Sequence, residues 1–194
     1  MKNENKEILD VLKEYREFGT DKTHKWEMYS SSTARDEIIK AYKYFPSDWI
    51  EKSIADSEKT PISIYIKNRG SYSRSSDGVG ILINYFEYTS AHELAHRMED
   101  IIPDIVRLEK EFYERRTAGE DLVSIKKLFP DRAYGEDEMA RLDKFNHPYM
   151  GKDYGGSAYE IFSMGVEKIF FGRYNEKADL DYDSFIIGLL LGVR

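Results

Sequence analysis

The run His92-Glu93-Leu94-Ala95-His96 sets two imidazoles four positions apart, with a carboxylate beside the first. On a helix, positions i and i+4 share a face, so both rings can reach one metal ion while Glu93 stands alongside. Two neutral imidazoles and one further ligand leave a coordination position open, as in catalytic rather than structural zinc sites. A metal in such a site acidifies water, and a neighbouring carboxylate takes the proton as the water attacks a carbonyl. A competing assignment exists for the same residues. Ser90 followed by Glu93 has capping-box spacing, which would make Glu93 a helix-start residue and leave the histidines as surface groups.

A third ligand is sought downstream. Glu160 and Glu167 lie seven apart, on one face of a segment otherwise rich in Ile161, Phe162, Met164, Val166 and Ile169. A carboxylate on a buried helix is costly unless paired or bound to metal, which makes Glu160 the first candidate. Glu167 fits better as a salt-bridge or supporting partner, and His147 is a further possible ligand. Glu99, three beyond His96, could accept the outer N–H of that ring, since metal-bound imidazoles commonly donate to a carboxylate.

The elements that must position these groups follow from periodicity. Apolar residues at three- and four-residue spacing predict helices over residues 2–18, 33–45 and 48–55, the last capped by Ser47. Alternation predicts strands over residues 62–66 and 79–86, separated by a Gly- and Ser-rich loop over 68–78. Helices are expected from residue 88 to Pro103 and over 104–118, 122–129, 157–171 and 183–191, with a long irregular stretch over 132–156. The fold class is α+β, helix-rich with a small sheet. Residues 1–30 read as an N-terminal helix and linker, and residues 31–194 as the domain that carries the motif. One of the two strands is expected to offer an edge on which an extended peptide could pair.

HELAH followed by a glutamate-bearing helix resembles the gluzincins, zinc metallopeptidases whose ligands are two histidines of HExxH and a glutamate from a second helix. The likeness extends to lethal-factor-like toxin peptidases, in which a tyrosine six or seven residues before the ligand glutamate steadies the oxyanion; Tyr154 stands six before Glu160. Residues 48–193, including HELAHRME, FYERRTAGE, DKFNHPYMGKDYGG and YEIFSMGVEKIFFG, are similar more loosely to zincin-like domains of phage and prophage proteins. The resemblance implies a zincin-like fold, Zn2+ held by His92, His96 and Glu160, Glu93 as general base, and Tyr154 as an oxyanion donor. The toxin-type helix continues Glu-Phe-Phe-Ala-Glu, whereas this chain has Glu160-Ile-Phe-Ser-Met164. Any role of that missing acid passes to Glu167, Glu99 or Asp100.

Composition narrows the partners. The 194 residues carry 29 Lys+Arg and 36 Asp+Glu, a formal charge of −7, which argues against nucleic acid or anionic lipid as a partner. There is no cysteine, so disulfides, thiolate metal sites and thiol nucleophiles are excluded. The first residues, MKNENKEILD, lack the apolar core of a secretory signal, and the longest apolar run is too short for a membrane span. A cytoplasmic protein is expected, with phage association or export without a signal peptide left open. The expected function is zinc-dependent hydrolysis of a peptide or protein substrate, and the alternative is a catalytically weak assembly component of a phage-type particle. Oligomeric state is not legible.

Overall fold

Alternating burial along β1 (Ile62–Ile66) and β3 (Gly78–Ile83) sends Ile62, Ile64, Val79, Ile81 and Ile83 to one apolar face. The two strands pair in parallel, with Ile64 opposite Ile81. These positions come from a computed structural model that describes residues 2–132 and 134–194, with side chains from residue 8 onward. The stretch expected to be a loop after β1 contains a further strand, β2 (Ser71–Ser75), antiparallel to β3, so the sheet order is β1-β3-β2. β3 ends at Ile83, and Tyr85 lies exposed beyond it.

This order corrects the expectation of a free edge on β1 or β3. β3 is central, and the outer side of β1 is bonded to residues 25–31, through Ile62 N–H to Lys25 O, Glu27 N–H to Ile62 O and Ser31 N–H to Ile64 O. Among the described residues, the sheet edge left open is β2.

Helices pack around the sheet in chain order: α1 (Lys2–Lys13), α2 (Ser32–Ala41), α3 (Ser47–Ser57), α4 (Glu87–Ile101), α5 (Pro103–Arg116), α6 (Ile125–Leu128), α7 (Ile161–Phe171) and α8 (Leu180–Gly192). A two-stranded ladder joins β4 (Val123–Ser124) to β5 (Met139–Ala140), and short 3-10 turns occupy Tyr42–Tyr44 and Pro148–Gly151. The architecture is α+β. No helix among the described residues is long and apolar enough to cross a membrane.

Several boundaries differ from the sequence expectation. Ser47 does not cap α3; it opens the helix, and its hydroxyl donates to Gly19 O at 2.5 Å. α1 stops at Lys13, after which Arg16 turns inward to grip Asp48 and the Leu190 carbonyl. The helix expected over 122–129 shrinks to one turn because Val123 and Ser124 pair with β5 instead.

The central pair is α4 against α7. α4 contributes Leu94, Ala95 and Met98 to the core, and α7 is buried along nearly its whole length. α4 ends where Ile102 precedes Pro103, since proline disfavours helical geometry in the residue before it.

His24 has a structural role here. It is buried against α3, with Nε2 2.7 Å from the Ser53 hydroxyl and Nδ1 on the Tyr42 hydroxyl. Burial, aided by the positive charge of Arg97, pushes its pKa down to about 3 from 6.5. The unfolded chain then binds the extra proton between those values, so this contribution is full above pH 6.5 and is lost as pH falls towards 3. Between pH 7 and pH 4, urea titrations should show wild type losing roughly 3 kcal/mol more stability than His24→Gln. Equal losses would remove His24 as a source of acid lability.

Candidate metal centre

α4 begins at Glu87, three residues before Ser90, so Ser90 and Glu93 are interior helical positions and the capping-box assignment does not apply. Asn84 Oδ1 accepts the Phe86 N–H and turns the chain into the helix. His92 and His96 then share the face turned towards the start of α7, with Nε2 atoms 3.2 Å apart.

Glu160 meets them from the second helix. It was expected inside a helix over 157–171, but α7 starts at Ile161 and Glu160 is the residue before it, at φ −109° and ψ 7°. Gly155 and Gly156, both at positive φ, turn the chain there and delay the helix. Glu160 is nonetheless buried, with Oε2 3.2 Å from His92 Nε2 and 3.5 Å from His96 Nε2. Glu109 of α5 holds this end of α7 by accepting the Phe162 N–H at 2.7 Å.

The outer ring nitrogens are also held by carboxylates: His92 Nδ1 by Glu167 at 2.7 Å and His96 Nδ1 by Glu99 at 2.8 Å. A carboxylate only accepts, so each Nδ1 carries the hydrogen and each Nε2 of a neutral ring presents a lone pair. Two such lone pairs and the Glu160 oxygen converge on one point, an arrangement that repels itself unless positive charge fills it. The titration behaviour has the same sense. Burial lowers the His92 pKa, but Glu160 and Glu167 outweigh it and hold the ring up to about 10. The Glu160 carboxyl is held well below its usual range, its burial outweighed by the two imidazoles. His92, His96 and Glu160 thus form a group that could hold a metal ion, with ligand atoms within 4.8 Å of one another.

The chain matches no protein-family model, no curated protein and no solved structure. The candidate metal site therefore stands on its own geometry.

The remaining sequence candidates sort by position. Tyr154 lies at the group, its hydroxyl donating to Glu160 Oε1 at 2.5 Å. Glu93 is buried with Oε2 unpartnered, and burial raises its pKa. Asp100 serves Arg97 and Arg74 and touches neither histidine. His147 is outside the group: its Nδ1 accepts the Tyr149 N–H and its ring stacks on Phe129.

A cleft runs past the group as two chambers, about 730 Å³ and 620 Å³, that share His92, Glu93, Arg69, Gly70 and Tyr149. Sequence reasoning missed the last three. Gly70 is there because nothing larger fits: a Cβ on it would lie 2.4 Å from Glu93 Oε1 and 2.7 Å from Thr89 Cγ2. The segment between β1 and β2 therefore lies directly on the Glu93 carboxylate.

Proposed function

We propose that the protein is a zinc-dependent peptidase, with His92, His96 and Glu160 as metal ligands. The observation that carries this is the triangle of ligand atoms. Donors about 2.0–2.2 Å from a tetrahedral zinc stand about 3.3 Å apart, and the three separations here are 3.2, 3.2 and 3.5 Å. Magnesium prefers oxygen donors and octahedral edges of about 2.9 Å, which this nitrogen-rich triangle does not supply.

Bound zinc would supply Lewis-acid chemistry for a carbonyl and an acidified water. The chain's own residues do the rest. Glu167 and Glu99 fix the imidazole tautomers and orientations. Glu93, facing both chambers from one helical position past His92, takes the proton of the attacking water and returns it to the leaving amine. Tyr154 exchanges its hydrogen bond to Glu160 for one to the developing oxyanion. The exposed β2 edge beside the cleft is where an extended substrate backbone lies.

Elemental analysis after dialysis tests the ligand set. Wild type is expected to retain about one zinc per chain, and His96→Ala and Glu160→Ala to lose it, with circular dichroism reporting that each variant is folded. Zinc kept by folded Glu160→Ala, or no metal in wild type after incubation with zinc, would overturn the proposal.

A further inference from the structure

The chamber beyond His92 sets guanidiniums against the carboxyl groups of Glu93, Glu167 and Glu176. Three guanidiniums line it, from Arg69, Arg132 and Arg173. Arg173 is committed: its Nε lies 2.5 Å from Glu167 Oε2, and its guanidinium lies over the Tyr88 ring at 3.9 Å. Glu167 is in turn occupied by His92. Arg69 and Arg132 have no ion-pair partner among the described residues, and neither do the lining carboxyl groups of Glu93 and Glu176. Arg69 bonds the Tyr149 hydroxyl and lies within the field of Glu138, whose carboxylate is bound by Lys152, and Arg132 lies over the Phe129 ring at 5.8 Å.

Two guanidiniums without an ion-pair partner, both lining one cleft, are placed to take a carboxylate, which their planar donors match with paired hydrogen bonds. The chain path places Arg69 near the metal group. Gly70 touches Glu93, so Arg69 is one residue from the group proposed as base. The Tyr134, Tyr149 and Tyr174 rings line the same chamber and offer walls for the stem of a bound side chain.

We propose that the cleft selects an acidic side chain, Asp or Glu, beside the scissile bond, with Arg69 and Arg132 binding its carboxylate. The position relative to a scissile bond rests on the peptidase proposal; the preference for a carboxylate does not. The whole-chain charge of −7 would by itself favour basic peptides. Two guanidiniums without an ion-pair partner act at short range in the cleft, where the adjacent groups outweigh that average.

Two measurements with one synthetic hexapeptide library separate the parts. Peptides retained on immobilised, zinc-loaded Glu93→Gln protein, read by mass spectrometry, report selectivity without turnover; cleavage sites made by wild type report it with turnover. Enrichment of Asp and Glu of about tenfold is expected in both, equivalent to about 1.4 kcal/mol, at one position flanking the cut. It should fall towards unity in Arg69→Gln and Arg132→Gln, each compared with its own uncharged-peptide baseline. Both side chains are exposed, and thermal melts check that the variants fold. Cleavage without acidic preference, or with a preference for Lys and Arg, overturns the acidic site and leaves the peptidase standing. Acidic retention with no cleavage by wild type overturns the peptidase and upholds the acidic site. Undiminished enrichment in both arginine variants overturns the assignment of these residues.

Discussion

Glu93→Gln should abolish peptide hydrolysis while zinc content and thermal stability stay at wild-type levels. The amide fills the same space but cannot take a proton, and loss of a general base costs about 10²- to 10⁴-fold in rate. None of the three ligand atoms belongs to residue 93, and the carboxylates that steady the rings are Glu99 and Glu167. The loss should therefore fall on kcat, with KM within a few-fold. Gly70→Ala offers an independent route to the same phenotype, since its methyl would occupy the space of Glu93 Oε1. It should lower kcat by displacing the base and again leave zinc bound. Cleavage by Glu93→Gln at more than about a tenth of the wild-type rate would remove Glu93 from the chemistry.

What the sequence disclosed depended on how local each signal was. The i, i+4 histidines are fixed by helical pitch alone, and Glu99 as the His96 partner follows from the same pitch. β1 and β3 announced themselves by alternating isoleucines. β2 did not: Ser-Tyr-Ser-Arg-Ser is an exposed edge with no apolar alternation, and it is a strand because β3 lies alongside to pair with it. The short helix at Ile125–Leu128 failed for a related reason, because the preceding residues find a partner strand that sits beyond an irregular stretch. Glu160 was legible as a buried carboxylate, but not as the residue before a helix, since that depends on where the two glycines let the turn end. Arg69, Gly70 and Tyr149 carry no motif. They reach the cleft from the β1–β2 connection and from the 3-10 turn at Pro148–Gly151, whose placement is set by long-range packing, so only the folded chain reveals them.

Arg97 ties the helix that carries His92 and His96 to the scaffold, and its replacement should have the largest effect on stability. It follows His96 directly on α4, yet points the other way and is fully buried. Its guanidinium binds Asp56 of α3 at 2.6 Å and Asp100 at 3.1 Å, and donates to the Ser53 hydroxyl at 3.0 Å and carbonyl at 3.2 Å. Arg74 of β2 reaches the same two aspartates, so α3, α4 and β2 are tied at one knot. Arg97→Ala would empty a fully buried site and remove the donor to the buried Ser53 groups, while Asp56 and Asp100 keep Arg74; the expected cost is about 3 kcal/mol. That is a large share of the roughly 5–15 kcal/mol available to a domain. Arg97→Lys should recover only part of it, because a single ammonium cannot serve acceptors spread across a planar fork. Urea titrations in the presence of chelator isolate this effect from metal binding. The knot also sets the rotation of α4 about its axis, and with it the direction of His92 and His96. Folded Arg97→Lys should therefore bind zinc more weakly than wild type although every ligand is intact. Wild-type zinc affinity combined with a stability loss under 1 kcal/mol would show that Arg97 neither holds the helix nor aims its histidines.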